Sequence, residues 1–439
     1  MINNKVGFYT LGCKVNSFDT DAMMELFEEA GYDVVPFEDE ANVYVVNTCT
    51  ITHLGDRKSR NILRRARKKN PGAIIVATGC YAQVSPNEVL AIPEVDLVYG
   101  NKDRKAIVNF VKDYSQGKEI TTLVSDIRKQ KEFEDLHINK TYGHTRAFLK
   151  VQEGCNQFCT FCIVPYARGP IRSRSSDSVF EEVKRLVLKG NLEMVLTGIH
   201  LSSYGIDVNG RSTLLDLISK VSSCSGLERI RLGSLEPRII TKEFLTGISQ
   251  DEKFCPHFHL SLQSGSDTVL HRMGRQYSTK EYLQAVEMIR EVFPLAAITT
   301  DVIVGFPGET QEEFEETFEF VQKVNFYQVH IFKYSKRDGT PAANFEDQVD
   351  EGTKTKRSHQ LDRVVKAQEQ AFLKAHDGQN QKVLVEQAIK DGQVVGHTAN
   401  YIPVHLNGEN SKLGEMVEVK LQFVDNATFM VGEIIEGVK

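Results

Sequence analysis

The 439-residue chain, 41% hydrophobic and 26% charged, has the balance expected of a soluble globular protein and the length for two or three domains. No run of eighteen apolar residues occurs, and the opening MINNKVGFYTLGC lacks a basic-then-apolar leader; a membrane-spanning or secreted protein is therefore not expected, and in a cytosolic setting the eight cysteines point to ligands or catalysis before disulfides. The net charge of −6 argues against indiscriminate nucleic-acid binding but leaves room for a local basic patch.

In residues 1–115, strand-like runs at Val6–Thr10, Val43–Asn47, Ile74–Thr78 and Leu97–Tyr99 alternate with helical stretches near Asp19–Ala30, Asp56–Lys69 and Asp103–Lys112. The alternation predicts a parallel sheet with covering helices. Residues 116–140 are polar, lack a clear period and read as a linker. Alternation resumes over 141–350, with strands expected at Ala147–Gln152, Glu193–Thr197, Arg229–Gly233, His257–Leu262, Ile298–Val304 and Gln328–Tyr334. Helices such as Asp177–Leu188, Leu214–Ser222, Thr279–Val292 and Gln311–Val324 fit between them. Six such units suit a partial barrel, with working residues at the carboxyl ends of its strands. A helix near Thr353–His376 follows, and then short strands split by turns at Asp391-Gly392, Asn407-Gly408 and Asp425-Asn426. These predict a small antiparallel β-barrel.

Cys155, Cys159 and Cys162 lie within eight residues, directly after an expected strand. Zinc sites generally take four protein ligands, and no further cysteine or histidine lies nearby. A cubane cluster held by three cysteines leaves one iron open to a small molecule. The CxxxCxΦC spacing, with Phe161 in the aromatic place, resembles the signature of the radical S-adenosylmethionine superfamily. That resemblance implies a [4Fe–4S] cluster that chelates S-adenosylmethionine and cleaves it to a 5′-deoxyadenosyl radical.

Cys13, Cys49 and Cys80 are far apart, yet each ends the same kind of segment: VGFYTLGC, VYVVNTC and IIVATGC. In a parallel sheet all three arrive at one edge. The bland alternative is three buried thiols, the reading given to Cys224 and Cys255. The arrangement resembles the amino-terminal domain of the methylthiotransferases, which implies a second, auxiliary [4Fe–4S] cluster with an open iron. The segments Cys13-Lys14-Val15-Asn16, Asn47-Thr48-Cys49-Thr50 and Gly79-Cys80-Tyr81-Ala82-Gln83 look like the branch acting on N6-threonylcarbamoyladenosine beside the anticodon of tRNA. The isopentenyladenosine branch usually shows Gln-Met-Asn after its first cysteine, and the branch that modifies a ribosomal-protein aspartate differs there too.

The resemblance implies a flavodoxin-like parallel α/β domain (1–115), a linker (116–140), a partial (β/α)6 TIM-like radical barrel (141–372) and a TRAM-like β-barrel (375–438). It implies methylsulfur insertion at adenine C2 (position 37), two S-adenosylmethionine molecules per turnover, a reducing electron donor, and no DNA or membrane partner. Family cofactor motifs at strand ends point to Phe161, Gly198, Gln263, Ser264, Asp301 and Gly305 as cofactor contacts; His200, His257 and His259 read as ordinary core or loop histidines. For RNA, the segment Arg57 to Lys69 holds eight basic residues and no acid. Arg57, Arg60, Arg64 and Arg67 would form a helical stripe, and Arg168, Arg172 and Arg174 follow the radical cysteines. The terminal barrel has five Lys, no Arg and eight acids over 378–439, so any RNA grip there relies on shape or a one-sided patch. The non-enzymatic alternatives are an iron–sulfur RNA-binding redox sensor and a zinc nucleic-acid module.

Overall fold

Val43 to Val46 and Ile75 to Ala77 are buried in unbroken runs, as in parallel strands covered on both faces. In the computed structural model, which describes residues 4–208, 213–389, 392–407 and 413–435, they belong to an all-parallel sheet. Its strands are β1 (Lys5–Thr10), β2 (Asp33–Val35), β3 (Val43–Thr48), β4 (Ile74–Gly79), β5 (Leu97–Tyr99) and β6 (Thr122–Leu123), in the order β2-β1-β3-β4-β5-β6. The first five follow the flavodoxin-like order, whose switch point lies between β1 and β3. β2 and β6, three and two residues long, are too short to leave a sequence period. The first helix, Lys14–Glu29, begins directly after Cys13, five residues earlier than its apolar pattern suggests. Asp19 therefore lies inside that helix, and it is buried.

The stretch 116–140 is no loose linker. It supplies β6, a 3-10 turn at Ile127–Lys129, and Leu136 and Ile138, which enter the core of the central barrel. These few apolar anchors are hidden in a polar composition.

The central barrel has β7 (Ala147–Glu153), β8 (Arg172–Ser173), β9 (Glu193–Gly198), β10 (Arg229–Leu232), β11 (His257–His259), β12 (Ala297–Val304) and β13 (Gln328–Lys333). They form two ladders, β10-β9-β7-β8 and β11-β12-β13, joined by parallel bridges Ile230–Phe254 and Leu235–Leu260. Six parallel strands thus follow one another as an open barrel, with β8 as an antiparallel addition to β7. β11 ends before the expected Leu262. Beyond it the backbone turns, and Gln263 adopts a φ of +72°. Capping boxes at Thr213/Asp216, Ser278/Glu281 and Thr310/Glu313 fix the starts of three covering helices. Phe18 and Ala22 of the first helix share one core with Leu149, Leu196 and Ile230 of the barrel.

After helix Glu351–Lys374, β14 (Asn380–Ala388), β15 (Gln393–Thr398), β16 (Pro403–Asn407), β17 (Met416–Gln422) and β18 (Met430–Ile434) close a barrel in the order β14-β15-β16-β18-β17. One pair, β16–β18, is parallel, which modifies the expected all-antiparallel pairing. Asn426 turns through a φ of +60° at one expected turn; Asp391 and Gly408 of the other two lie outside the described residues. Between β15 and β16, Tyr401 reaches the central barrel. It stacks on His257 at 4.8 Å, with Arg231 at 4.8 Å from its ring centre.

Candidate metal centres

Gly154 closes β7 in the left-handed region, φ +74°. A side chain there would collide with the Pro170 carbonyl. The loop that follows is pinned by Cys155 N–H to Gly169 O (3.0 Å), Cys162 N–H to Cys159 O (2.9 Å) and Thr160 N–H to Met273 O (2.9 Å). These bonds gather Cys155, Cys159 and Cys162 on one cavity of about 150 Å³. Burial pushes the Cys155 thiol up to about 11 and Cys162 up to about 12. Against this, Arg275 donates to Cys159 Sγ at 3.2 Å.

The second set sits at the sheet's switch point. Cys13 follows β1 and caps the first helix; Cys49 follows β3; Cys80 follows β4 and opens a short helix. Gly79 turns with φ +92°, where a Cβ would meet the backbone of Thr48. A Cβ at Gly12 would lie 3.1 Å from Cys49 Sγ, and Cys13 and Cys80 both act on the Cys49 thiol. The expected convergence of the three thiols is therefore found. Burial lifts Cys49 to about 12 and raises Cys13, which Arg168 and backbone N–H groups pull back. Cys13 is also open to solvent.

Arg168 ties the second set to the segment that follows the first. It ends the helix Val164–Arg168 that follows Cys162, and its Nε donates to Cys80 Sγ at 3.3 Å. Its remaining donors engage Asp19 at 2.8 Å, Glu153 at 3.1 Å, and Asn16. Lys150 and Arg104 complete this buried cluster on Asp19. Burial works against the Glu153 and Asp19 charges, but Arg168, Lys150 and Arg104 outweigh it. Glu153 is held at about 2 and Asp19 lower still.

The thiol sets are not spaced for a single zinc ion. Among the described residues, the one group of three ligands whose atoms all lie within 4.8 Å is His259, Asp301 and His330; neither thiol trio is that tight. Zinc–thiolate bonds would need sulfurs about 3.8 Å apart. One polar atom near the radical trio also lacks a partner: Nδ1 of His200 is buried without a hydrogen bond among the described residues, while its Nε2 lies 3.6 Å from Glu236 and Glu236 Oε1 lies 3.5 Å from Arg275, and a polar cofactor would satisfy the unpaired nitrogen.

Of the expected cofactor contacts, Phe161 and Gln263 line the thiol cavity. Gly198 ends β9 against Gln152, just before the cavity residues Ile199 and His200. Asp301 lies in the barrel lumen, 3.2 Å from His259 Nε2. Ser264 and Gly305 do not line the cavity. Ser264 is fully buried with its hydroxyl on Thr317 (3.1 Å), and Gly305 packs under Lys354. Sequence reasoning missed Arg275, Glu236 and Ser234 and set His200 aside; all four line the cavity, as does Ser261 of the cofactor motif that holds Gln263. Burial tends to raise Glu236, yet His200, Arg275 and Arg238 hold it at about 2. Its position just past β10 was the available signal; Arg275, in a loop, carried none. A larger cleft of about 1020 Å³ shares Gln157, His200 and Glu236 with this cavity.

The basic residues divide. Arg168, Arg172 and Arg174 are buried and face inward. Arg172 donates to the Pro170 and Arg168 carbonyls and Arg174 pairs with Asp135 and Glu182; the expectation that these three face RNA is corrected. On helix His53–Lys69, Arg60 bonds Tyr81 (2.9 Å) and Arg67 bonds Asp96 (2.6 Å), so half of the expected stripe serves the fold. Arg57, Lys58, Arg64, Arg65 and Lys68 form the exposed basic face.

Comparisons with known proteins find similarity along most of the chain. Residues 5–100 match the Uncharacterized protein family UPF0004, 149–321 the Radical SAM superfamily and 374–433 the TRAM domain. The chain is 43% identical over 423 residues, 95% of its length and 93% of the relative's, to the threonylcarbamoyladenosine tRNA methylthiotransferase MtaB of Bacillus subtilis. It is 34% identical over 97% of its length, and 96% of the relative's, to a tRNA-2-methylthio-N(6)-dimethylallyladenosine synthase of Clostridium botulinum. In fold it is similar to the radical S-adenosylmethionine methyltransferase TsrM from Kitasatospora setae, solved with cobalamin and a [4Fe-4S] cluster. The TM-score is 0.60 at 14% identity, covering 78% of this chain and 77% of that one.

Proposed function

The chain belongs to the radical S-adenosylmethionine tRNA methylthiotransferases, in the branch that acts on threonylcarbamoyladenosine, and from that membership we propose how its residues divide the work. It is an enzyme that converts this nucleoside to its 2-methylthio form. When bound, iron–sulfur and S-adenosylmethionine chemistry replaces an unactivated adenine C2–H bond with a C–S bond, which acid–base groups alone do not achieve. In our reading Cys155, Cys159 and Cys162 hold the radical [4Fe–4S] cluster, and Cys13, Cys49 and Cys80 hold an auxiliary one. Two S-adenosylmethionine molecules serve each turnover, and a reducing partner supplies electrons.

Arg275 and Arg168 place one positive charge on each thiol set, which favours the deprotonated sulfur that iron requires. Phe161, Gln263, His200 and Glu236 form the wall and polar contacts of the cofactor cavity. The sheet edge presents the auxiliary thiols together, with Arg168 beside Cys80. The exposed face of helix His53–Lys69 meets tRNA phosphates. We assign 1–115 to the auxiliary-cluster domain, 141–372 to the radical core, 375–438 to the TRAM-like barrel and 116–140 to the connection tying them. A cytosolic setting suits both reduced thiols and tRNA. No helix among the described residues is long and apolar enough to cross a membrane.

The observation carrying this reading is that there are two thiol trios, one at the ends of β1, β3 and β4 and one in the loop after β7, and each is touched by one arginine, Arg168 on Cys80 and Arg275 on Cys159. Anaerobic reconstitution tests it. Wild type is expected to bind roughly eight irons and each triple-alanine variant roughly four. Cys155→Ala should abolish 5′-deoxyadenosine formation, and Cys49→Ala should retain some while yielding no methylthio product. Methylthio product from Cys49→Ala would remove the auxiliary site from the mechanism. Persistence of 2-methylthio-N6-threonylcarbamoyladenosine in a strain lacking the protein would overturn the substrate.

A further inference from the structure

Three parallel strands of the barrel set two imidazoles and a carboxylate on one face. Thr299 and Asp301 are two residues apart on β12 and so point to the same side. The ladder pairs Thr299 with His259 of β11, and Asp301 with His330 of β13. One ligand atom from each of His259, Asp301 and His330 lies within 4.8 Å of the other two. His259 Nε2 and Asp301 are 3.2 Å apart. Two ligands of a tetrahedral zinc ion, bound at about 2.0–2.1 Å, stand about 3.3 Å apart, so this pair already has the right separation. His330 is exposed, and a small rotation of its ring closes the remaining gap.

The hydroxyl behind this pair suits a ligand role. Thr299 Oγ1 lies 3.0 Å from His259 Nδ1 and 3.1 Å from His257 Nε2, and its single proton serves one of the two. When that proton goes to His257, His259 donates its Nδ1–H to the Thr299 oxygen and turns the Nε2 lone pair toward the Asp301 carboxylate. Two acceptors then face each other, and a cation between them removes the repulsion. An imidazole held through Nδ1–H, with Nε2 free, is the form in which histidine ligates a metal. Metal binding selects this arrangement over the one in which Nε2–H donates to Asp301. The place adjoins the radical trio: Gln263 N–H bonds the Asp301 carbonyl at 2.8 Å, and the Gln263 side chain lines the cysteine cavity.

We propose that His259, Asp301 and His330 hold one zinc ion, at a metal site separate from both thiol trios. Two imidazoles and a carboxylate are a borderline donor set that suits zinc. Three protein ligands leave a fourth position for water or another oxygen donor in the lumen. Sequence reasoning set His259 aside as a lone histidine because its two partners come from other strands.

The test uses full-length protein with its clusters reconstituted anaerobically, equilibrated with micromolar zinc sulfate and then desalted. Wild type is expected to keep one zinc per chain in addition to its iron. X-ray absorption at the zinc edge should show nitrogen and oxygen ligands at about 2.0–2.1 Å and no sulfur at about 2.3 Å. Asp301→Asn and His330→Ala should each lose the zinc while keeping wild-type iron and sulfide. Because His330 is exposed, His330→Ala decides the matter even where Asp301→Asn disturbs the fold. No zinc retained by wild type, zinc bound through sulfur, or a full zinc equivalent in His330→Ala would overturn the inference.

Discussion

Arg168 serves four neighbours at once: the Cys80 thiol, the Asp19 and Glu153 carboxylates, and Asn16. All of these lie in the protein interior, so deleting the guanidinium leaves uncompensated buried charge. Arg168→Met is expected to destabilise the fold by about 3–5 kcal/mol, seen as a lowered denaturant midpoint. Arg168→Lys keeps the charge but loses the fork and should fall between the two. The sequence around it, with Arg168, Arg172 and Arg174 close together, reads as a phosphate-facing run because arginine is usually exposed. The partners that bury it, Asp19 and Cys80, are more than eighty residues away in the chain. The cysteines were legible for the opposite reason: their signal is local, either a short spacing or an identical place at the end of an apolar run.

Helix His53–Lys69 shows what periodicity reveals and what it hides. Its basic character and near limits were readable, but which arginines face water depends on acids contributed by other segments, Glu88 and Asp96 among them. Replacing Arg57 and Lys58 by alanine is therefore expected to weaken tRNA binding and to reduce the slope of log affinity against log salt by about 1–2. Arg67→Ala should leave that slope unchanged. It should instead cost about 1–3 kcal/mol of stability, because Asp96 and the Pro71, Ala73 and Glu94 carbonyls lose their donor. Filter binding over a salt series and thermal unfolding separate the two effects. The long strands were equally readable. The weak elements, β2, β6 and the anchors of 116–140, were not, since two or three residues carry no period and their places are set by sheet edges and core vacancies formed elsewhere.

For the whole molecule, the joint between the amino-terminal sheet and the central barrel is both apolar and ionic. Phe18 and Ala22 enter the barrel core beside the Asp19–Glu153–Lys150–Arg104–Arg168 cluster. Both carboxylates are held below their ordinary values of 3.8 and 4.5. The stability they confer is therefore complete above those values and is lost as the pH falls from about 4.5 toward 2. Acid should loosen this joint before it unfolds the C-terminal barrel, whose core is aliphatic. The chain has no tryptophan, so hydrogen exchange across this pH range is the suitable measurement: amides of Lys14–Glu29 should lose protection ahead of those in β14–β18.

The same helix begins at Cys13 and, one turn later, is bolted into the barrel through Phe18. The sheet that carries Cys13, Cys49 and Cys80 is therefore packed directly against the barrel that carries the other trio. In the reading proposed above, the spacing of the two thiol sets is then a property of that packing, and it is the nucleoside that has to reorient between them.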